Sequence, residues 1–283
     1  MISKENCIFN NIILKKQNIS KEIINNLMVT LYNNISFSTF PYLIYKEYSS
    51  KNCINKYNSG NCIAISYFIK QYLKTNYNID SYVIGASVPN VFKVDGTPHI
   101  CHCALCIPIS LHEFYIIDGA LYFLEPMYCN LKDNKIRQIE NSDIYTYQKM
   151  KINYNIELCN DCILDIDYEQ ILKEDSICVR CNFDYDIYET WNYYLNEIIN
   201  PDNNIGHAFL TLKPQPFILH TYYDNKEDIV KLLYKIKLNE DGELNISKYP
   251  KNEIIYKGLN YKQDKIATDI IEKKLYKFFS NYI

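Results

Sequence analysis

Glycine is scarce in this sequence, at 7 of 283 residues, and no apolar run approaches the 18 or so residues that a membrane span needs. The second absence excludes a helical membrane anchor, and no membrane partner is expected. Nor does the start, Met-Ile-Ser-Lys-Glu-Asn-Cys, carry the apolar core of a signal peptide, so a cytoplasmic and reducing location is expected. Basic excess is missing too. The formal net charge is −3, which argues against the strongly basic footprint of a nucleic-acid binder. The small group Lys132, Lys135 and Arg137 is diluted by acidic neighbours and reads as solvated surface. There is no glycine-rich phosphate loop, no internal repeat and no low-complexity linker. With 28 tyrosines and abundant Asn, Ile and Lys, the glycine shortage looks like codon bias in an AT-rich genome. A Tyr-rich stretch is therefore not by itself a stacking platform.

What is present is an ordinary folded composition, 48% apolar and 22% charged. The length suits one large domain or two to three small ones around a real core. The 11 cysteines are odd in number and lack the dense spacing of a secreted disulfide scaffold, so mostly free thiols are expected. A free cysteine is usually a small buried apolar residue. Each is inert until argued otherwise.

Helical periodicity opens the chain. Ile23, Ile24, Leu27 and Leu31 follow Ser20, a plausible N-cap, and Asn61 to Lys74 is helical and nearly apolar all round, as in a helix buried mid-domain. Strand patterns follow at 81–88, 100–109 and 113–123, with further strands at 177–184, 207–213 and 216–222. A helix from Tyr188 to Ile199 stops at Asn200-Pro201, and a C-terminal amphipathic helix carries Ile266, Ile270, Ile271, Leu275 and Phe278. The order is helices first, a β-rich middle and an α/β tail, an α+β chain.

Three residues stand out from that background. Cys62 follows a turn of Asn58, Ser59, Gly60 and Asn61 and falls in the first turn of the buried helix. Unpaired backbone N–H groups and the positive end of the helix dipole favour thiolate there, and thiolate is the nucleophile. Gly60 would let the chain turn tightly and leave room beside the sulfur. Downstream, a turn centred at Ser110 would pair Cys106 with Phe114, Ala104 with Ile116 and His102 with Asp118. Directly opposed residues share a face about 5 Å apart. An aspartate so placed can hold one imidazole nitrogen and leave the other for a thiol. A two-residue error in register makes the contact diagonal, and a one-residue error breaks it. The pattern points to a catalytic triad of Cys62, His102 and Asp118.

These residues resemble the arylamine N-acetyltransferase family and, more loosely, the transglutaminase-like and papain-like cysteine enzymes. The resemblance rests on Ser59-Gly60-Asn61-Cys62, on His102 forty residues later and on Asp118 sixteen after that. Ile35-Ser-Phe37-Ser-Thr-Phe40 is similar to the family's short Pro-Phe-Glu-Asn-Leu segment, and Asn200 to Phe209 to the passage into its later strands. Where the family has Arg-Gly-Gly before the cysteine's immediate neighbour, this chain has Tyr57-Asn-Ser-Gly-Asn. The resemblance implies a papain-like architecture: a helical bundle over 1–80 with the cysteine, a central antiparallel β-barrel over 81–185 with His102 and Asp118, and an α/β lid over 186–283. It also implies acetyl-CoA as acyl donor, a ping-pong mechanism through a Cys62 thioester, and a small-molecule amine acceptor. No metal is expected.

Other readings stay open. The same triad would serve a transglutaminase-like enzyme or a papain-like peptidase or amidase. Cys159, Cys162, Cys178 and Cys181 have four-cysteine zinc spacing, which would suit a zinc-stabilised interaction protein. Against that, residues i and i+3 on a strand point to opposite faces. His207, followed by Asp224 and Asn225, is a rival catalytic histidine, although Pro214 and Pro216 disfavour a clean hairpin between them. His99, His112 and His220 suit plain surface or core roles.

Overall fold

The computed structural model describes residues 19–47, 49–86, 102–110, 113–130, 137–154, 215–259 and 264–265. Four helices fall in its first third: α1 (Lys21–Asn34), α2 (Phe40–Leu43), α3 (Ser50–Tyr57) and α4 (Cys62–Tyr77). Side-chain caps start three of them. Ser20 accepts from the Ile23 N–H at 3.2 Å, Ser49 from the Asn52 N–H at 3.3 Å, and Asn61 from the Ile63 and Ala64 N–H groups. Two of the helices stop where an asparagine turns left-handed, at Asn58 with φ 49° and Asn78 with φ 53°. Asparagine tolerates this region better than most residues with a Cβ, and here it takes the place that glycine usually holds.

Three sheets follow. β3 (Tyr82–Ala86), β4 (His102–Pro108), β5 (Glu113–Ile117) and β6 (Met127–Asn130) form an antiparallel sheet in chain order, beside a hairpin of β7 (Arg137–Asp143) and β8 (Gln148–Tyr154). The largest sheet joins distant parts of the chain. β9 (Phe217–Asp224), β10 (Ile229–Leu238), β11 (Leu244–Lys248) and β12 (Glu253–Gly258) continue onto β1 (Ser36–Ser38) and β2 (Ser59–Gly60), in the order β12-β11-β10-β9-β1-β2. Among the described residues these sheets are open, and the barrel expected over 81–185 is seen there as an open four-stranded sheet with a separate hairpin. The strand expected through Phe123 stops at Ile117, because the chain turns at Gly119. The strands expected at 177–184 and 207–213, the helix at 188–199 and the C-terminal helix lie outside the described residues.

Two cores flank the large sheet. One gathers Leu27, Leu31, Ile65, Ile69 and Leu73 from α1 and α4 with Leu105, Ile117, Val230 and Leu232. The other holds Phe40, Tyr42, Cys53 and Tyr57 with Ile218, Tyr234, Ile236 and Ile246. A bulge between Leu232 and Tyr234 explains how β10 serves both. The extra residue reverses which face the even-numbered side chains take. Truncating one of these fully buried aliphatic side chains to alanine costs about 2–5 kcal/mol.

Candidate active site

Cys62 is the first residue of α4, and its environment is set by Asn61. The Asn61 Oδ1 atom accepts from the Ile63 N–H at 3.1 Å and the Ala64 N–H at 3.2 Å. It also lies 3.0 Å from the Tyr42 hydroxyl and 3.2 Å from the Ser50 hydroxyl. Gly60 is required by close packing. A Cβ there would lie 2.4 Å from the Ala64 Cβ and 2.7 Å from the Tyr42 hydroxyl. The bare backbone lets the start of α4 seat against Tyr42.

His102 opens β4, and Asp118 stands just past the end of β5. The register differs by two residues from the expected one: Cys106 faces Ile116, Leu105 faces Ile117, and the pairing stops there. His102 and Asp118 are thus not directly opposed. They meet diagonally, with His102 Nε2 2.5 Å from Asp118 Oδ2. A two-residue slip keeps both side chains on the same face, so the contact survives.

Asp118 is held by its second oxygen. Oδ1 accepts from the Ala120 and Leu121 N–H groups at 3.1 Å each, which fixes the carboxylate across the turn. Gly119 lets this turn press onto the helices, since a Cβ there would meet Leu31 at 2.7 Å and Ile65 at 2.8 Å. Ile65 belongs to the helix that Cys62 opens, so one helix supports both the aspartate turn and the thiol. β4 also overhangs β5, and α4 meets the Cys103 backbone there: the Ser66 hydroxyl donates to the Cys103 carbonyl at 3.4 Å. One turn earlier on α4, the Cys62 sulfur is in hydrogen-bonding contact with the Cys103 side chain, its backbone N–H and the His102 ring. With Nε2 committed to Asp118, the ring nitrogen left for the sulfur is Nδ1.

The electrostatics follow from these contacts. The Cys103 hydrogen bonds and the charge of His102 hold the Cys62 thiol well below its ordinary range, against the opposing effect of burial. Burial works against a charged His102, yet Asp118 and the Cys62 thiolate together raise it well above its usual value. Both shifts favour a thiolate beside an imidazolium, with a carboxylate behind it. His102 and Asp118 are 6% and 1% exposed, sealed from water, while Cys62 keeps partial access to solvent.

The remaining sequence candidates fall elsewhere. Asp224 caps a surface turn and pairs with Lys231 at 2.8 Å, and His220 hydrogen-bonds the Ser36 hydroxyl at 3.1 Å. His99, His112, His207, Asn200 to Phe209 and the four cysteines Cys159, Cys162, Cys178 and Cys181 lie outside the described residues. Among the described residues no cluster of His, Cys, Asp and Glu is arranged to hold a metal, and no helix is long and apolar enough to cross a membrane. Tyr42, Ser50 and Cys103 were not singled out in the sequence. Only Asn61, a good cap residue before an apolar helix, carried a local signal.

No family model matches the chain, and no curated protein matches its sequence. Solved structures do. The likeness is to arylamine N-acetyltransferases. One from Bacillus cereus, described as having a unique Cys-His-Glu catalytic triad, shares 14% identity over 97% of this chain and 98% of that one, with a TM-score of 0.48. Another from Bacillus anthracis shares 11% identity over 98% and 99%, again with a TM-score of 0.48. A third, from Mycobacterium marinum in complex with CoA, shares 11% over 93% and 88%, with a TM-score of 0.46. These proteins are of the family that Cys62, His102 and Asp118 resemble. At such identities and TM-scores the likeness carries nothing about chemistry, which rests on the residues.

Proposed function

We propose that the protein is a thiol-dependent acyltransferase of the arylamine N-acetyltransferase type, with Cys62 as nucleophile, His102 as base and acid, and Asp118 as the group that orients it. The observation that carries this is the junction of three elements at one point: a helix-start thiol, an imidazole beside it and a buried carboxylate 2.5 Å behind the imidazole. Acetyl-CoA is the proposed donor and a small amine the proposed acceptor, in keeping with the family resemblance.

The Cys62 thiolate attacks the donor's thioester carbonyl. The oxyanion that forms lies within reach of the Cys103 N–H, which already points at the sulfur, and of the Cys62 N–H, which has no intrahelical partner. As the carbonyl re-forms, the CoA thiolate leaves and takes the proton from the His102 imidazolium. Cys62 is then an acetyl thioester. An amine attacks that thioester while His102 takes up its proton. The amide departs and the thiolate–imidazolium pair is restored.

Intact-protein mass spectrometry after incubation with acetyl-CoA tests this. A gain of about 42 Da in the wild type and none in Cys62→Ala is the expected result. Rapid iodoacetamide labelling of Cys62 with no acetyl adduct would leave the triad standing and shift the reading to a transglutaminase-like or peptidase-like enzyme.

A further inference from the structure

We propose that the Tyr42 and Ser50 hydroxyls are positioning residues for the Cys62 nucleophile, acting through the Asn61 amide that caps its helix. The inference rests on the cysteine-nucleophile reading above. A helix cap needs an acceptor for one or two N–H groups, and Asn61 Oδ1 already has both, from Ile63 and Ala64. Two more donors are aimed at the same atom, Tyr42 at 3.0 Å and Ser50 at 3.2 Å, and the two hydroxyls lie 3.1 Å apart. Tyr42 also accepts from the Asn61 backbone N–H at 3.1 Å. It therefore grips Asn61 at two points, one residue before Cys62.

Tyr42 and Ser50 are fully buried and Asn61 is 7% exposed. Loss of a buried donor leaves its acceptor poorly compensated, which makes each hydroxyl count. Burial also holds the Tyr42 phenol well above its ordinary pKa, so it stays a neutral donor. The consequence for Cys62 is electrostatic. The Asn61 carbonyl oxygen is the negative end of a dipole beside the start of α4, where it opposes a thiolate. Donors converging on that oxygen draw down its charge and hold it on the N–H groups.

The pH dependence of iodoacetamide labelling at Cys62, followed by peptide mass spectrometry beside a melting curve, separates the two roles. In Tyr42→Phe the labelling midpoint should move to higher pH, with the rate at pH 7 falling roughly tenfold and recovering at high pH. Ser50→Ala should shift in the same direction by less. Asn61→Asp keeps a good cap but adds a negative charge one residue before Cys62, so its midpoint should rise. A folded Tyr42→Phe with an unshifted midpoint overturns the proposal. Should that variant fail to fold, an unshifted Ser50→Ala does the same. Wild-type Cys62 labelling no faster than Cys53 would instead sink the nucleophile reading itself, and this proposal with it.

Discussion

Cys53 and Cys62 carry the same thiol on successive long helices, yet their surroundings push them in opposite directions. Burial drives the Cys53 thiol up to about 12, where it stays protonated and inert at neutral pH. Cys62 is held low by Cys103 and His102. The sign of the pH dependence follows. Labelling of Cys62 is lost only as pH falls through its lowered pKa, and the imidazolium is lost only as pH rises through the raised pKa of His102. Iodoacetamide should therefore modify Cys62 at about pH 6, well below the ordinary thiol range near 8.5, and leave Cys53 untouched. Asp118→Asn removes the charge that keeps His102 protonated. Its amide can still accept from Ala120 and Leu121 through Oδ1, which presents an N–H to His102 and sets the wrong tautomer. Labelling of Cys62 at pH 7 should fall by on the order of a hundredfold or more while the melting temperature changes little.

At the scale of elements, the two glycines beside the site do different work. At Gly60 the nearest obstacle is a Cβ attached to the α4 backbone, which cannot swing aside. Gly60→Ala should cost about 1–3 kcal/mol and lower the melting temperature by several degrees. At Gly119 two of the three obstacles are side-chain ends, Leu31 Cδ2 and Ile69 Cδ1, which can swing aside, and the third is the Ile65 Cγ2 methyl. Gly119→Ala should melt closer to wild type than Gly60→Ala, yet slow Cys62 labelling, because its turn carries Asp118. The reverse ranking in a thermal scan would show that the start of α4 has slack. The hairpin register belongs here too. β4 is buried along its whole length, so no alternation of apolar residues fixes its register, and the turn position places the β4–β5 pairing only to within a residue or two. The closeness of His102 and Asp118 was thus legible from the turn, and their stagger was not.

For the whole molecule, the decisive feature is that β9 lies against β1 and β10 fills both cores. The Thr221 hydroxyl donates to the Tyr32 carbonyl at 3.0 Å, and the Tyr223 N–H to the Asn33 Oδ1 at 2.8 Å, tying β9 to the end of α1. A chain ending at residue 215 would expose Leu27, Leu31 and Phe40 and should show no cooperative melting transition by circular dichroism. Cooperative melting of that fragment would mean that the helices and the β3–β6 sheet stand alone. The sequence by itself determined what is local: the Ser20 cap, a buried helix beginning at Cys62, and the strands that His102 opens and that Asp118 follows, since capping and periodicity act over a few residues. Only the tertiary structure decided the diagonal contact of His102 with Asp118, the convergence of Tyr42 and Ser50 on Asn61, and the union of β1 with β9. Those depend on groups 8 to 184 positions apart in the chain, brought together by shared burial that no local pattern encodes.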